Sequence, residues 1–471
     1  MARSSEELQR DAFAIWQAGV DAVSSSNLVQ KHVCIEDDRL IIGEASFNLN
    51  RIRKIAVVGA GKAGAGMAAG LESVLEKNLL AIEKLTGWIN VPADCVTTTK
   101  KIHLHAARPA GINEPTQAGV EGTSRILEMV AGLTPADLCI CLLSGGGSAL
   151  LPAPVNGISL ADKQAITRFL SGAGANIEEL NTVRKQLSRI KGGQLSQTCR
   201  AGHLVTLIIS DVLGDPLDII ASGPTILHPN SPHDALQVLK TFGAQHEVSC
   251  RTVFNFLQAT SDAPQTSNRV EARQEVMNFV IGNNATAVNA AGIEAIRRGY
   301  VPITSSSNTS EGPAEKIGQE IADWLIQHQS AMGPNCLISG GEPTVQLIEE
   351  SKRGLGGRNQ QLVLAAFEHL RNHSPAKDTS PDVKKRNKRF TLLSGGTDGE
   401  DGPTDAAGAW INETTQEKCL ANELDPRYFL DHNDAYHFFE RLRQLIKTGP
   451  THTNVCDLRI VTLDHDAQAT P

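Results

Sequence analysis

The sequence predicts an α/β fold of two domains, the first a Rossmann-like parallel sheet and the second a smaller α/β domain. Three observations lead to this prediction. The chain has 471 residues, more than one compact core usually holds. Short apolar segments alternate with segments of helical periodicity along both halves. Glycines follow most of the apolar segments, which is typical of ligand loops at the carboxyl ends of parallel strands.

The predicted elements follow one another in two series. Apolar residues at helical spacing over 6–23 predict an amphipathic helix, and buried strands are predicted at 54–59, 88–91, 102–105, 138–144 and 204–210. The polar stretch 227–273 predicts a helical connector that ends in a loop. Further strands are predicted at 276–282, 301–305, 336–340, 390–395 and 455–463. We therefore expect domains at 1–265 and 266–471.

Composition and charge exclude several classes of protein. Lys and Arg total 44 and Asp and Glu total 52, so the net charge is −8, and we expect neither a nucleic-acid nor a membrane partner. No apolar run approaches the ~18 residues of a bilayer span. Nine scattered cysteines predict reduced thiols. Acidic residues near the N-terminus argue against a transit peptide, so we expect a cytoplasmic protein.

A G-x-G-x-x-G pattern occupies residues 59–64, between a predicted strand and a predicted helix, with its glycines at Gly59, Gly61 and Gly64. This context is typical of a dinucleotide fingerprint, but the next predicted strand ends without the acid that would hold a ribose. Lys62 lies inside the turn, where its ammonium would face an anion collected by the helix N-terminus. We interpret Lys62 as an anion-binding residue, the alternative being a solvated lysine in a tight turn.

A second glycine turn follows the strand predicted at 138–144. Successive glycines expose backbone N–H groups, which can form an anion-binding concavity. The G-x-x-x-x-G-K-[ST] pattern does not occur, so this turn is not a P-loop. We expect it to cradle a phosphate through Ser144, Gly145, Gly146, Gly147 and Ser148.

Four polar residues, Asn181, Arg184, Ser188 and Lys191, have a spacing that would place them on one face of a helix. An asparagine with two cations on one stripe could hold a carboxylate or a phosphate. A solvated polar face is the alternative.

Asp211 follows the apolar strand predicted at 204–210. An acid at the carboxyl end of a central parallel strand occupies the usual position for catalysis in open α/β sheets. Asp211 could accept a proton from a hydroxyl group or bind a metal ion. The alternative is an N-cap of the next helix.

Two glycine-rich segments of the second half carry charge. Gly357 and Arg358 precede a helical run, where a guanidinium is well placed to fork onto phosphate or carboxylate. Residues 395–405 contain four acids in a glycine loop. Within it, Thr397 and Asp398 are candidates for a magnesium or ribose site, and a bland acidic turn is the alternative.

Cations gathered with an aspartate and an acidic loop suit phosphoryl transfer, in which positioning and charge neutralisation supply most of the catalysis. The residues as a set resemble the glycerate kinases that carry a C-terminal MOFRL domain. The matching segments are GAGKAG (59–64), SGGGSALLPAP (144–154), ELNTVRKQLSRIKGG (179–193), SDVLGDPLDIIASGPT (210–225), SGGEPTVQL (339–347), GGRNQ (356–360) and SGGTDGEDGPTDAAGA (394–409).

The resemblance implies two α/β domains, the second of MOFRL type, with the active site in the cleft between them. It implies transfer of the γ-phosphoryl group of ATP to D-glycerate with Mg²⁺, the 2-hydroxyl being the expected acceptor. Lys62 and Arg358 match the family's basic active-site positions, and Asp211 matches its strand-end aspartate. A homodimer is left open.

The predicted site also includes a nucleotide-binding set and a pair of metal ligands. Asp211 and Asp398 are the expected metal ligands. The nucleotide set comprises the two glycine turns together with Asn181, Arg184, Lys191, Gly357, Thr397 and Asp398. The chain departs from the family where a His-Pro-x-Pro-Asp-type segment is usual, because it reads Ala-Arg-Pro at 107–109.

Two other classes of function remain as alternatives. An NAD(P)-dependent hydroxypyruvate reductase would use the same glycine turn, but the missing ribose acid and the acidic loop count against it. A non-enzymatic regulator that binds sugar phosphates would need the glycine turns without Asp211 or the acidic loop.

Overall fold

The computed structural model describes residues 3–112, 114–227, 229, 231–262, 274–328, 333–373 and 389–464. The chain forms two compact units. The N-terminal unit is Ser25–Ile281, and the C-terminal unit combines Met1–Ser24 with Gly282–Pro471. The α/β class is as predicted. No helix in the described parts of the chain is long and apolar enough to cross a bilayer.

The chain begins with α1 (Ser5–Ala22), which belongs to the C-terminal unit. The elements of the N-terminal unit follow in order: α2 (Ser25–His32), β1 (Val33–Glu36), β2 (Arg39–Ile42), β3 (Ala45–Asn48), β4 (Ile55–Ala60), α3 (Gly64–Leu75), α4 (Leu79–Lys84), β5 (Leu85–Pro92), β6 (Ile102–Arg108), α5 (Gln117–Ala131), β7 (Leu138–Leu143), α6 (Gly147–Leu150), α7 (Leu160–Gly172), α8 (Ile177–Gln186), α9 (Gln194–Thr198), β8 (His203–Ile209), α10 (Pro232–Thr241), α11 (Arg251–Asp262) and β9 (Glu275–Gly282).

The C-terminal unit continues with α12 (Asn284–Arg297), β10 (Pro302–Ser306), α13 (Ala314–His328), β11 (Cys336–Gly341), α14 (Arg358–His373), β12 (Phe390–Gly396), β13 (Gly408–Asn412), α15 (Thr415–Ala421), α16 (Pro426–Asp431), α17 (Ala435–Leu442), β14 (Leu445–Ile446) and β15 (Asp457–Leu463).

Each unit is built on a six-stranded sheet. The N-terminal sheet has the order β6-β5-β4-β7-β8-β9, and the pairs from β6 through β8 are parallel. The C-terminal sheet has the order β10-β11-β15-β12-β13-β14, with one parallel pair and four antiparallel pairs. The ten strands predicted from sequence are all present. The short antiparallel sheet β1-β2-β3 was not predicted, because its strands have only four residues each.

The first helix lies in a different unit from the one that the predicted division gave it. The predicted boundary between 265 and 266 lies in 263–273, outside the described residues. Helix α1 belongs with the C-terminal unit because it buries Ile15 and Trp16 in one core with Ile338 and Ile460.

The stretch predicted as a connector is largely part of the N-terminal unit's own core. Helices α10 and α11 place Leu236 and Val253 in an apolar cluster with Ile166 of α7 and Val183 of α8. Burial of these side chains removes apolar surface from water, which ties both helices to the unit. The polar faces that suggested a linker are the solvent-facing sides of amphipathic helices.

Parallel pairing determines where the site is assembled. Strands β4, β7 and β8 are adjacent and parallel, so their carboxyl ends lie at the same edge of the sheet. The segments that follow these three strands are the two glycine turns and the Asp211 segment. The fold therefore brings together three motifs that are far apart in sequence.

Glu72 provides a stability test for the N-terminal unit. Its buried carboxylate accepts three backbone N–H groups ahead of β6, from Lys100, Lys101 and Ile102, at 2.8 to 2.9 Å. Glu72→Gln removes the charge and turns an amide N–H toward a donor, so we expect a loss of about 2–3 kcal/mol in the free energy of unfolding. Glu76→Gln is the matched control, because Glu76 forms only an exposed ion pair with Lys100. Equal urea-unfolding midpoints for the two variants would contradict the expectation.

Candidate active site

The first glycine turn is held to the second by hydrogen bonds that its backbone N–H groups donate. Lys62 N donates to Gly145 O at 2.9 Å, and Ala63 N donates to Ser144 Oγ at 3.0 Å. Gly61 has φ +149°, and a Cβ there would lie 1.9 Å from Ser144 Oγ. Glycine is therefore required at 61 so that the two turns can approach each other.

Two cationic side chains flank the second turn. Gly146 has φ +77°, and a Cβ built on it would lie 3.2 Å from Arg108 Nη2 and 3.6 Å from Lys62 Cγ. Arg108 ends β6, is buried, and donates from Nη1 to Ile112 O. In the sequence, Arg108 stood out only as part of a departure from the family pattern. Its position at the end of a parallel strand was the available signal.

Ser148 is the centre of a polar cluster. Arg184 Nη2 donates to Ser148 Oγ at 2.7 Å, and Lys191 Nζ donates to Ser148 Oγ at 2.8 Å and to its carbonyl oxygen at 2.7 Å. Ser148 Oγ lies 3.0 Å from Ser222 Oγ, which donates to Asn181 Oδ1 at 3.2 Å. The structure thus brings Asn181, Arg184 and Lys191 together beside the second glycine turn.

The local structure differs from the predicted helical stripe. Helix α8 ends at Gln186, so Ser188 and Lys191 lie in the loop after it. Ser188 Oγ accepts the backbone N–H groups of Ile190 and Lys191, both at 3.3 Å. Ser188 thus stabilises the loop that carries Lys191. The four residues do not share one helix face.

The cations of this cluster are held in a desolvated environment. Burial lowers the pKa of Arg184, and burial together with Arg184 and Lys163 lowers the pKa of Lys191 well below its ordinary value. Lys163 of α7 was not predicted; its Nζ donates to Leu187 O at 3.1 Å. Burial, reinforced by Arg184, lowers the pKa of Lys163 to about 7.

Asp211 lies two residues beyond β8 and is half-buried. The described residues after it form turns up to the 3-10 segment Ile220–Ser222, so no helix begins where an N-cap role would require one. In the same segment Asp215, Ala221 and Ser222 have φ between +51° and +62°. Left-handed backbone at non-glycine residues is costly and is concentrated at functional loops.

In the C-terminal unit, Arg358 begins α14 and forms ion pairs with two carboxylates. Its Nε and Nη2 donate to Asp457 at 2.7 and 3.0 Å, and its Nη1 donates to Glu342 at 3.0 Å. Burial opposes the charge of Arg358, but Asp457 and Glu342 outweigh it, so its pKa lies above the ordinary value. The guanidinium side chain remains 33% exposed, so the N–H groups not used in these pairs can reach a ligand.

The N-terminus of α14 is bonded to Asp401. This fully buried carboxylate accepts the backbone N–H groups of Asn359 at 3.0 Å and Gln360 at 2.8 Å. A Cβ on Gly357 would lie 2.3 Å from Asp401 Cγ, so glycine makes room for the carboxylate. The amides at the start of α14 are thus bonded to the protein's own acid.

The acidic loop after β12 is tied to the approach to β15. Thr397 Oγ1 donates to Cys456 O at 2.7 Å and accepts from Val455 N at 2.9 Å, so its hydroxyl supports the loop. Asp398 is half-buried and accepts from Glu400 N at 3.1 Å. Burial raises the pKa of Glu342, Arg358 lowers it, and Asp457 and Asp398 raise it further.

Acidic side chains of the C-terminal unit are gathered in and near the loop after β12. Among the described residues no three His, Cys, Asp or Glu side chains are grouped to hold a metal ion. Mg²⁺ in phosphoryl-transfer sites usually takes only one or two protein carboxylates and completes its shell with phosphate oxygens and water. Asp457 and Asp398 are acidic neighbours of Glu342, and a bound cation would offset the repulsion among these carboxylates.

Asp401 generates a prediction for the pH dependence of stability. Burial raises its pKa from 3.8 to about 7, so the folded state binds a proton more tightly than the unfolded state. Stability should therefore fall as pH rises from about 4 to 7, with a slope of at most about 1.4 kcal/mol per pH unit, and then level off. Asp401→Asn removes this titration and should flatten the slope in urea unfolding between about pH 5 and pH 8.

Asp405→Asn is the control of opposite sign in the same loop. Hydrogen bonds from Lys447 and Tyr436 hold the pKa of Asp405 below its ordinary value, so its contribution is lost only as pH falls below about 4. The Asp405→Asn protein should keep the parent slope between about pH 5 and pH 8. A parent slope that survives in Asp401→Asn would mean that Asp401 is ionised across the whole range.

Two family models match the chain. The one described as "Domain of unknown function (DUF4147)" matches residues 11–258, and the MOFRL family model matches residues 335–457. A curated "Glycerate kinase" of Danio rerio is 33% identical over 98% of this chain and 99% of its own length. The crystal structure of a glycerate kinase from Thermotoga maritima matches with a TM-score of 0.76 and 31% identity, covering 97% of this chain and all of that one.

A relative with a different name also matches. A "Putative hydroxypyruvate reductase" of Agrobacterium vitis is 34% identical over 87% of this chain and 99% of its own length. The same two-part architecture therefore carries two names among relatives of comparable similarity. The solved structure and the vertebrate relative agree on one of them. With both family models matched in order and near-complete coverage, the chain belongs to the glycerate kinase family with a C-terminal MOFRL domain.

Proposed function

We propose that this protein is a glycerate kinase that transfers the γ-phosphoryl group of ATP to D-glycerate, with the 2-hydroxyl as acceptor. The observation that carries the proposal is the buried cationic cluster around Ser148, joined to the two glycine turns at the sheet edge, in a chain of the glycerate kinase family. Both reactants are anions. A site of this charge lowers the cost of bringing them together.

The cations of the N-terminal unit suit the charge that develops during phosphoryl transfer. Lys62 and Arg108 flank Gly146, and Arg184 and Lys191 contact Ser148. In the transition state, charge spreads over the oxygens of the transferring group, and donors held in place beforehand stabilise it most. We propose that Lys62 acts on that group and that Arg358 of the C-terminal unit acts in the same reaction.

Asp211 is the proposed general base. An acceptor hydroxyl must lose its proton as the new O–P bond forms, and a carboxylate at a strand end is well placed to accept it. The absence of a helix start after Asp211 within the described residues removes the capping role that competed with this proposal.

We also propose that the reaction requires Mg²⁺. Asp211 and Asp398 are the candidate ligands from sequence, and Glu342 is a further candidate because Asp457 and Asp398 crowd it. Bound Mg²⁺ would neutralise phosphate charge. Removal of divalent ions with a chelator should abolish turnover, and added Mg²⁺ should restore it.

The reductase alternative is favoured only by the name of the Agrobacterium vitis relative. The strand that should end with a ribose-binding acid instead carries Asn90, whose buried amide donates to Leu150 O at 2.8 Å and to Thr123 Oγ1 at 3.3 Å. The Asn90 side chain is therefore bonded within the core and is not available to bind a ribose. Consumption of NADH with hydroxypyruvate, without ADP formation from ATP and D-glycerate, would favour the reductase.

A cytoplasmic location and a homodimer remain proposals. None of the nine cysteines is in a disulfide and eight are buried, which suits a reducing compartment. Fractionation of cells that make the tagged chain tests the location, and sedimentation velocity tests the oligomeric state.

The direct test is a mass-resolved product assay with D-glycerate, ATP and Mg²⁺. We expect 2-phosphoglycerate and ADP in equal amounts, and Asp211→Asn should lower turnover by about a hundredfold or more because it loses the proton acceptor. Asp94→Asn, at an exposed acid of another loop, is the matched control and should keep parent turnover. ADP formation that is independent of glycerate would show that the protein is an ATPase and not a glycerate kinase.

Lys62→Ala and Arg358→Ala should each lower kcat by about two orders of magnitude, because each removes a charge needed most in the transition state. Arg358→Lys should rescue little, since an ammonium cannot form the paired hydrogen bonds that Arg358 makes with Asp457. Steady-state kinetics of the three variants test this expectation, and their unfolding curves check that the fold is intact. A higher KM for glycerate at constant kcat would show that these residues only anchor the substrate.

A further inference from the structure

We infer that Lys163, Arg184 and Lys191 form one buried oxyanion site around Ser148, and that binding of a carboxylate or phosphate there draws a proton into the site. The inference rests on the proposed function, because it concerns how that site holds its reactant. It adds Lys163 to the binding machinery and assigns the class of ligand, a small oxyanion.

The geometry gathers three positive groups from different segments. Arg184 comes from α8, Lys191 from the loop after it, and both contact Ser148 at 2.7 to 2.8 Å. Lys163 comes from α7, and its Nζ donates to Leu187 O in the same loop. Lys163 and Lys191 are 8% and 2% exposed.

None of the three has an acidic partner. Within the described residues no carboxylate lies at ion-pair distance from Lys163, Arg184 or Lys191, and their hydrogen bonds go to neutral oxygens. Lys185 is buried as well, but its charge is compensated by a carboxylate, because its Nζ lies 3.2 Å from Asp218 Oδ2. Buried cations are costly without a counter-charge, so we assign that role to a ligand.

The cluster is partly exposed at Arg184 and borders a cavity at Lys191. Arg184 is only half-buried, and Lys191 also lines a cavity of about 820 Å³ together with Gly192 and Gln194. The cavity walls carry further polar and cationic groups, including Lys185 and Arg189, and one acid, Glu128. The surroundings of the site are therefore more positive than negative.

Proton uptake follows from the charge state of the empty site. Lys163, with a pKa of about 7, is largely neutral at pH 8, and burial also lowers the pKa of Lys191 well below its ordinary value. An anion favours their charged forms, so binding raises both pKa values and the site takes up a proton. Affinity should therefore fall as pH rises above about 7, by up to about tenfold per pH unit.

Other titratable groups near α7 do not supply this behaviour. Burial raises the pKa of Cys250, which keeps that thiol neutral, and Glu247 accepts hydrogen bonds from Ser249 at an exposed position. The charged groups on the elements packed against α7 are Glu178, Glu179, Arg184 and Lys185 on α8, Lys191 after it, Glu247, and Arg251 and Asp262 on α11. Among these groups, Lys163 and Lys191 combine burial with a lowered pKa and have no acidic partner within the described residues.

Isothermal titration calorimetry in buffers of different ionisation enthalpy tests the inference on the full chain at about pH 8. The probes are D-glycerate, ADP and inorganic phosphate, each alone. We expect uptake of between about half and one proton per bound anion. Proton uptake with D-glycerate, but with neither ADP nor phosphate, would identify a carboxylate site. Proton uptake with ADP and phosphate, but not with D-glycerate, would identify a phosphate site. Binding of the probes without proton uptake would overturn the inference.

Variants separate a binding role from a structural one. Lys163→Met should weaken anion binding about tenfold or more and reduce proton uptake, while raising the melting temperature of the empty protein, because it removes a buried unpaired charge. Lys163→Arg keeps a permanent charge, so it should retain binding and lose most of the pH dependence. Lys185→Met is the matched control, which should lower the melting temperature and leave proton uptake unchanged.

Two results would overturn the role of Lys163. The first is a Lys163→Met protein that melts earlier and binds with parent affinity, which would make Lys163 structural. The second is parent proton uptake in both the Lys163→Met and Lys191→Met proteins. Failure of the proposed function is distinguishable, because proton-linked phosphate binding without turnover of D-glycerate would leave the site standing and remove the kinase.

Discussion

The close approach of two glycine turns at the edge of a parallel sheet is the constraint on which the N-terminal site depends. Gly61 can lie against Ser144 only because it lacks a Cβ, which would lie 1.9 Å from Ser144 Oγ. That approach sets the path of the chain through Gly146 to Ser148, where Arg184 and Lys191 converge. A side chain at position 61 would separate the turns and displace the hydroxyl on which the cations meet.

The two units treat charge in opposite ways. In the C-terminal unit, Asp457 and Glu342 neutralise Arg358, and Asp401 satisfies the start of α14, so the positive groups are already paired. In the N-terminal unit, Lys163 and Lys191 are buried, Arg184 is half-buried, and all three donate to neutral oxygens. Unpaired buried charge costs stability, and a site that must bind anionic reactants is one place where that cost serves a purpose.

Several features of the site were predictable because they depend on local sequence. Glycine spacing identifies turns, and a lysine inside such a turn marks Lys62. Apolar runs locate the strands, so the acid following β8 marks Asp211. Lys163 carried no comparable signal, because a lysine in an amphipathic helix is ordinarily solvent-facing. Its burial is decided by the packing of α7 against α8 and α11, which a single sequence does not reveal.

The sequence by itself determined the α/β class, the positions of the principal strands along the chain, the two glycine turns and membership of a family whose motifs span most of the chain. These follow from periodicity and from residue types with special backbone freedom, both of which are local. Only the tertiary structure decided that α1 packs in the C-terminal unit, that Asp401 takes the amides of α14, and which buried cations have an acidic partner. Those outcomes depend on contacts between residues far apart in the chain, and electrostatic energies are set by such distances and by burial rather than by sequence spacing.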